Sequence, residues 1–224
     1  MKPAHFSPHT LRFIRDLKKN NERAWFVANK DRYEEAVRDP ALRFIADFAP
    51  KLAKLSPHFM ATPRSLFRIH RDTRFSKDKS PYKTHVGIHF RHDRAKDAHA
   101  PGYYLHIEPK SVFAGVGIWH PEAGALRLIR QRIVEEPAAW KRATTAKTFT
   151  GTFELAGDRL KRPPKGFDLD HPFVEDLKRK DFIGIVELDD AFVTKRDLPE
   201  RLARTFAAGT PLMRLLCDAL DVPF

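Results

Sequence analysis

The sequence predicts an α+β fold: a central, mostly antiparallel sheet with N-terminal, middle and C-terminal helices packed on one face. Three observations carry this. Residues 1–60 place apolar side chains at helical spacing. Residues 63–120 hold four short segments rich in aromatic and β-branched residues. The connections between those segments are too short for crossover helices, which parallel neighbours would need. A chain of 224 residues is long enough to form one such domain with a full core. It divides into a helical part (1–60), the sheet (63–120), and a part with helices plus one or two strands (121–224).

In order, "SPHTLRFIRDLKKNN" offers Ser7 as an N-cap and Pro8 at the first helical position, with Leu11, Ile14 and Leu17 on one face. "ERAWFVANKDRYEEAVRD" continues with Trp25, Phe26, Tyr33 and Val37. Asp39 and Pro40 start a third helix, with Leu42, Ile45, Leu52 and Leu55 apolar and Pro50 predicted to kink or split it. Strands are expected near 65–72, 84–91, 102–108 and 111–119. In the second, Val86, Ile88 and Phe90 oppose His85, His89 and Arg91; in the third, Leu105 and Ile107 oppose Tyr104, His106 and Glu108. One sheet face is therefore core-like and the other polar and rich in histidine. Beyond it come a helix from Pro121, a shorter one around Trp140, a proline-rich loop, and a helix near 172–180. A strand at 182–188 and two helices beginning at Pro199 and Pro211 complete the chain.

With 41 Lys and Arg against 29 Asp and Glu, the net charge is +12, which attracts phosphate-bearing or carboxylate partners without choosing among them. One cysteine, Cys217, sits among apolar residues at helical spacing and reads as a small core hydrophobe; it excludes an intramolecular disulfide framework and fits a reducing cytoplasm. No signal peptide or spanning segment is recognisable, so no membrane role is expected.

The basic excess concentrates in "RIHRDTRFSKDKSPYKTH". Arg68, Arg71, Arg74, Lys77, Lys79 and Lys83 crowd one short segment, offset locally only by Asp72 and Asp78. Arginine forks suit phosphate and carboxylate, lysines add less directional charge, and Ser76, Ser80 and Thr84 add hydroxyls. These six are the candidate ligand contacts, on an ordered loop into which Phe75 and Tyr82 are threaded.

Histidines form a second group. His106 and Glu108, with His120 at the end of the next strand, are the candidate acid/base residues, and His89 is expected to converge with His106 and Glu108 if the strand register allows. No H-E-x-x-H or H-x-H spacing is present, and no metal site is assigned. In "GVGIWHPEAGAL", Gly115 and Gly117 share a strand face with Trp119, leaving room for a backbone or a flat ligand; the simpler expectation is that Trp119 belongs to the core. His120 precedes a helix N-terminus able to hold an anion. "LKRPPKGFDLDHPFVEDLKRKDF" offers Lys161, Arg162, Lys165, Lys178, Arg179 and Lys180 as a second basic wall of the same cleft or as a solvated loop.

"FRIHRDTRFSKDKSPYKTH", "GYYLHIEPKSVFAGVGIWHPE" and "LKRPPKGFDLDHPFVEDLKRKDF", in this order, resemble the characteristic blocks of a family of conserved uncharacterised proteins, the domain of unknown function numbered 2461. The likeness extends from the first helices to the region near Phe192. It carries no reaction, cofactor or catalytic residue to transfer. It implies that the three blocks form one site.

Three functions compete. The leading one is a small phosphorylated or carboxylated ligand held in a basic pocket, with or without a reaction; no nucleophile, Walker loop or G-x-S-x-G elbow identifies an enzyme, and the cofactor stays open. The second is a nucleic-acid-binding module stacking bases on Phe75, Tyr82 and the Tyr103–Tyr104 pair. The third is a structural or adaptor role, which wins if Arg68, Arg71 and Arg74 are saturated by buried carboxylates. Concave convergence of the basic residues favours the first; a convex stripe favours the second.

Overall fold

In the computed structural model, residues 3–94 and 100–224 are described. Helix α1 (Pro8–Lys19) starts as its sequence dictates: Ser7 Oγ accepts from His9 N, Thr10 completes a reciprocal cap, and Pro8 occupies the first turn. Its buried stripe is Leu11, Phe13, Ile14 and Leu17. Two short helices, α2 (Arg23–Ala28) and α3 (Lys30–Tyr33), lead through a π-helical turn (Glu34–Arg38) into α4 (Asp39–Leu55). Pro50 does not split α4, contrary to expectation. Pro50 and Ala46 both lie on the exposed side, so the carbonyl that Pro50 cannot serve faces water.

Among the described residues six strands follow in one sheet of order β1-β2-β3-β4-β6-β5: β1 (Phe59–Met60), β2 (Val86–His92), β3 (Gly102–Ile107), β4 (Val112–Ile118), β5 (Glu154–Ala156) and β6 (Phe182–Leu188). All the pairings are antiparallel. The α+β class and the strands expected near 84–91, 102–108, 111–119 and 182–188 are present. The strand expected near 65–72 is not. Pro63–Ser65 is a 3₁₀ turn, and residues 66–71 form an irregular arm making two isolated bridges, Leu66 with Ile88 and His70 with Tyr82. Between the bridges three residues of one arm face five of the other, so the ladder is bulged and cannot run on.

The remaining helices are α5 (Ala123–Glu135), α6 (Pro137–Thr145), α7 (Lys147–Thr150), α8 (Val174–Leu177), α9 (Asp190–Thr194), α10 (Leu198–Ala208) and α11 (Thr210–Ala219). The helix expected over 172–180 is only the four-residue α8. Alternation then sorts the sheet. Val86, Ile88, Phe90, Tyr103, Leu105, Ile107, Val112, Ala114, Val116 and Ile118 are all buried on the inner face with the helices. Phe90 meets Phe48 of α4 at 4.9 Å and Tyr103 meets Phe206 of α10 at 4.8 Å. Burying each such side chain contributes about 1.5–3 kcal/mol. Cys217 lies in this core as expected, and burial pushes its thiol up to about 12, so it is not a thiolate at neutral pH. No helix among the described residues is long and apolar enough to cross a membrane.

The outer face is laid out by register. One row runs Gly87, His106, Phe113, Glu187; the next runs His89, Tyr104, Gly115, Ile185; the third runs Arg91, Gly102, Gly117, Ile183.

Candidate functional site

The basic segment is the tip of an irregular hairpin whose arms are residues 66–71 and 81–88. Backbone bonds from Phe67 N to Gly87 O (2.9 Å), Arg71 N to Pro81 O (2.9 Å) and Lys83 N to Ile69 O (2.7 Å) tie the arms together. The hairpin docks on the loop after α1. Asn21 donates from Nδ2 to Tyr82 O (2.9 Å) and accepts from Tyr82 N (3.0 Å), closing the free edge of that arm, while the Tyr82 ring stacks on Phe26 at 4.1 Å. The docking brings Lys18 and Asn21 against Arg71, Ser80, Lys83 and His85 around one concave cavity of ≈ 610 Å³, whose wall also includes Asp72 and Asp78.

Of the six predicted ligand contacts, Arg71 and Lys83 line this cavity. The Arg71 guanidinium donates to Asp78 and to Ser80 Oγ. Lys83 Nζ donates to Arg68 O and His70 O, both at 2.8 Å, which leaves its third N–H. Burial, with the charges of Arg68 and Arg71, lowers the Lys83 pKa. Arg68, Arg74, Lys77 and Lys79 are exposed and outside the cavity lining. Arg74 is held by Asp72 (Nη2 to Oδ2, 2.7 Å), and Lys79 donates to Thr73 O (2.9 Å). Hydrogen bonds from Arg74 hold the Asp72 carboxyl at about 2, and bonds from Ser80 and Arg71 hold Asp78 below the usual carboxylate range. Phe75 does not dock with the loop: it is 96% exposed. Sequence reasoning missed Lys18 and Asn21, which lie some sixty residues upstream; the polar run "KKNN" closing α1 is their only local trace.

The predicted acid/base trio is divided. Glu108 opens the tight β3–β4 turn, where Pro109 and the positive φ (67°) of Lys110 lead to a bond from Ser111 N to Glu108 O (2.8 Å). This fixes Glu108 beside His106, with Nε2 to Oε2 at 3.7 Å. His85, and not His89, joins them: its ring stacks on His106 at 4.3 Å, and donor atoms of His85, His106 and Glu108 all lie within 4.8 Å of one another. Burial lowers the pKa of both imidazoles, His85 to about 4, with the His106 charge adding to the effect. His89 sits one row further along, against Phe67 and Tyr104, and burial lowers it to about 4. His120 is far from the pair, because β3 and β4 run oppositely. His106 lies across from Phe113, seven residues or roughly 20 Å from His120 along the strand direction. There His120 is fixed by the buried Asp181, which accepts from His120 N (2.7 Å) and lies 3.2 Å from its Nδ1. A second group with metal-ligating side chains is His58, His92 and Asp93.

Between these places the outer face holds a ≈ 400 Å³ groove lined by Phe67, His89, Tyr104, Phe113, Trp119, Ile183 and Ile185, with Gly102, Gly115 and Gly117 as part of its floor. Trp119 is therefore not core; it is 57% exposed at the groove wall. Gly117 is required by its backbone, since φ is 123° and a Cβ would lie 2.1 Å from Phe182 O. The third sequence block does not wall the basic cavity. Lys165 and His171 line a separate ≈ 730 Å³ cavity with Arg127 and Arg130, and Arg179 is buried against Asp176 (2.8 Å).

No curated protein and no solved structure matches the chain. A family model described as a conserved hypothetical protein (DUF2461) matches residues 9–215, which include the hairpin, the histidine face and the groove; the chain belongs to that family.

Proposed function

We propose that this protein binds a small phosphorylated or carboxylated ligand in the cavity between the α1 C-terminus and the hairpin. The observation that carries the reading is convergence: Lys18 and Asn21 from one part of the chain meet Arg71, Ser80 and Lys83 from another around a concave space. An entering anion competes with Asp78 for Arg71, and Asp78 is 61% exposed on a loop tip, free to yield. The structural alternative required buried carboxylates on the arginines; those of Asp72 and Asp78 are 43% and 61% exposed. The nucleic-acid alternative keeps Phe75, 96% exposed, as a stacking ring but is weakened by the burial of Tyr82 and Tyr103, 4% and 0% exposed. His85 lines the cavity and stacks on His106, and burial lowers the pKa of both imidazoles, which suits them to proton transfer there. The single buried cysteine fits a cytoplasmic setting.

The test is thermal unfolding against phosphorylated metabolites and mononucleotides, then against short oligonucleotides, at physiological salt. A small anion at a hundred times its Kd adds about 2.7 kcal/mol, or roughly 5–10 °C in Tm. A shift with oligonucleotides alone that fades steeply with salt would move the assignment to nucleic acid. No shift with any ligand would remove it.

A further inference from the structure

We infer that His85, His106 and Glu108 form a binding site for one divalent transition-metal ion at the edge of the outer face. The β2–β3 register builds it. Val86 pairs with Ile107 and Gly87 with His106, so one step further His85 stands across from Glu108, and all three side chains rise from the same face. Their ligand atoms lie within 4.8 Å of one another, so side-chain rotations that close them to the spacing of about 3.4 Å between tetrahedral donors at about 2.1 Å would complete the site.

Hydrogen bonding separates this set from the other one. His92 Nε2 meets Pro223 O at 2.7 Å and its Nδ1 accepts from Arg94 N at 3.1 Å, while His58 Nδ1 meets Asp93 at 3.0 Å. That cluster is satisfied by the protein and has no lone pair to offer on His92. At the proposed site, His106 Nδ1 meets the Tyr104 hydroxyl at 3.0 Å, a partner that orients the ring and leaves Nε2 directed toward Glu108 as a ligand. Gly87 protects this partner: a Cβ there would lie 2.8 Å from the Tyr104 hydroxyl. Glu108 is neutralised by Lys18 at 2.9 Å, but the Lys18 side chain is 66% exposed and can swing away when a dication takes over that role. Two imidazoles and one carboxylate suit the borderline ions Zn²⁺, Co²⁺, Ni²⁺, Fe²⁺ and Mn²⁺ and leave coordination positions open. Because His85 also lines the basic cavity, the ion site borders the space proposed for the anion. The ion site itself does not depend on that proposal.

The experiment is titration of the metal-free full chain with Co²⁺, followed by its visible absorption, and with Zn²⁺ by calorimetry. One ion per chain is expected. His106→Ala and Glu108→Gln should each weaken binding at least 100-fold, and Tyr104→Phe should weaken it about 10-fold through the orienting bond. His58→Ala should leave affinity unchanged. Circular dichroism and Tm of the metal-free variants check that they fold, and His85→Gln serves where His106→Ala does not. Absence of stoichiometric binding would overturn the assignment. So would binding that survives Glu108→Gln and either His85→Gln or His106→Ala, or that is lost in His58→Ala.

Discussion

The two faces of the sheet are built from the same strands and do opposite things. The inner-face residues of β2, β3 and β4 are apolar and buried. Their outer-face neighbours, one residue away in each strand, are glycines, histidines, an arginine, a tyrosine and a phenylalanine. Inside, nearly every side chain is committed to packing. Outside, Gly102, Gly115 and Gly117 leave a groove, and His85, His89 and His106 stand neutral with ring nitrogens that packing does not require. Stability is thus concentrated on one face, and space and unclaimed chemistry on the other.

That contrast can be broken from the inside with the largest effect. Phe90→Ala, at a residue with 0% exposure between Phe48 and Phe206, should cost about 3–5 kcal/mol, read as a lowered urea midpoint at unchanged slope. A loss below about 1 kcal/mol would deny the inner face its role.

Acid sharpens the contrast from the outside. The unfolded chain protonates His89 near pH 6.5, the folded chain only near 4, so the unfolded state binds more protons in that window and stability falls as pH drops through it. The His89 contribution is on the order of 3 kcal/mol between pH 7 and 4, since each pKa unit is worth about 1.4 kcal/mol. His85 and His106 act with the same sign. Stability curves of wild type and His89→Leu from pH 7 to 4.5 check it: the variant should lose less on acidification, and equal slopes would contradict the assignment.

Smaller again is Gly117→Ala, predicted to cost about 2 kcal/mol because the backbone lies at φ 123° and the new methyl meets Phe182 O. Smallest is Trp119→Ala. A half-exposed groove wall should change stability by less than about 0.5–1 kcal/mol, where a core tryptophan would cost about 3–5. Chemical denaturation of the two variants side by side separates them.

What the sequence disclosed follows the range of the interactions. The Ser7–Pro8 cap and the alternation of β2 and β3 are local, and both are read directly from neighbouring residues. The broken ladder between residues 66–71 and 81–88 is a mismatch between two stretches, and "LFRIHRD" alone carries no sign of it. Which histidine joins His106 depends on strand register: His89 is the one expected, but with Gly87 opposite His106 the two histidines stand one row away on either side, and His85 is the one across from Glu108. Trp119 follows the alternation faithfully and sits with Gly115 and Gly117. The simpler expectation put it in the core, because the glycine-floored groove it lines forms only when β3, β4 and β6 come together. Lys18 and Asn21 enter the basic cavity through a docking contact that links Asn21 to Tyr82 across 61 residues.

The most direct test of the anion pocket compares two arginines three residues apart that the sequence does not distinguish: Arg71, which lines the cavity, and Arg74, paired with Asp72 outside it. Calorimetric titration with inorganic phosphate, or with whichever small anion gives the largest thermal shift, would be run on wild type, Arg71→Ala and Arg74→Ala at fixed salt. The pocket predicts a loss of at least 10-fold in affinity for Arg71→Ala, about 1.4 kcal/mol or more, with Arg74→Ala within twofold of wild type. Equal weakening in both variants would mean that the anion senses only the diffuse positive field of the hairpin, and would contradict the pocket.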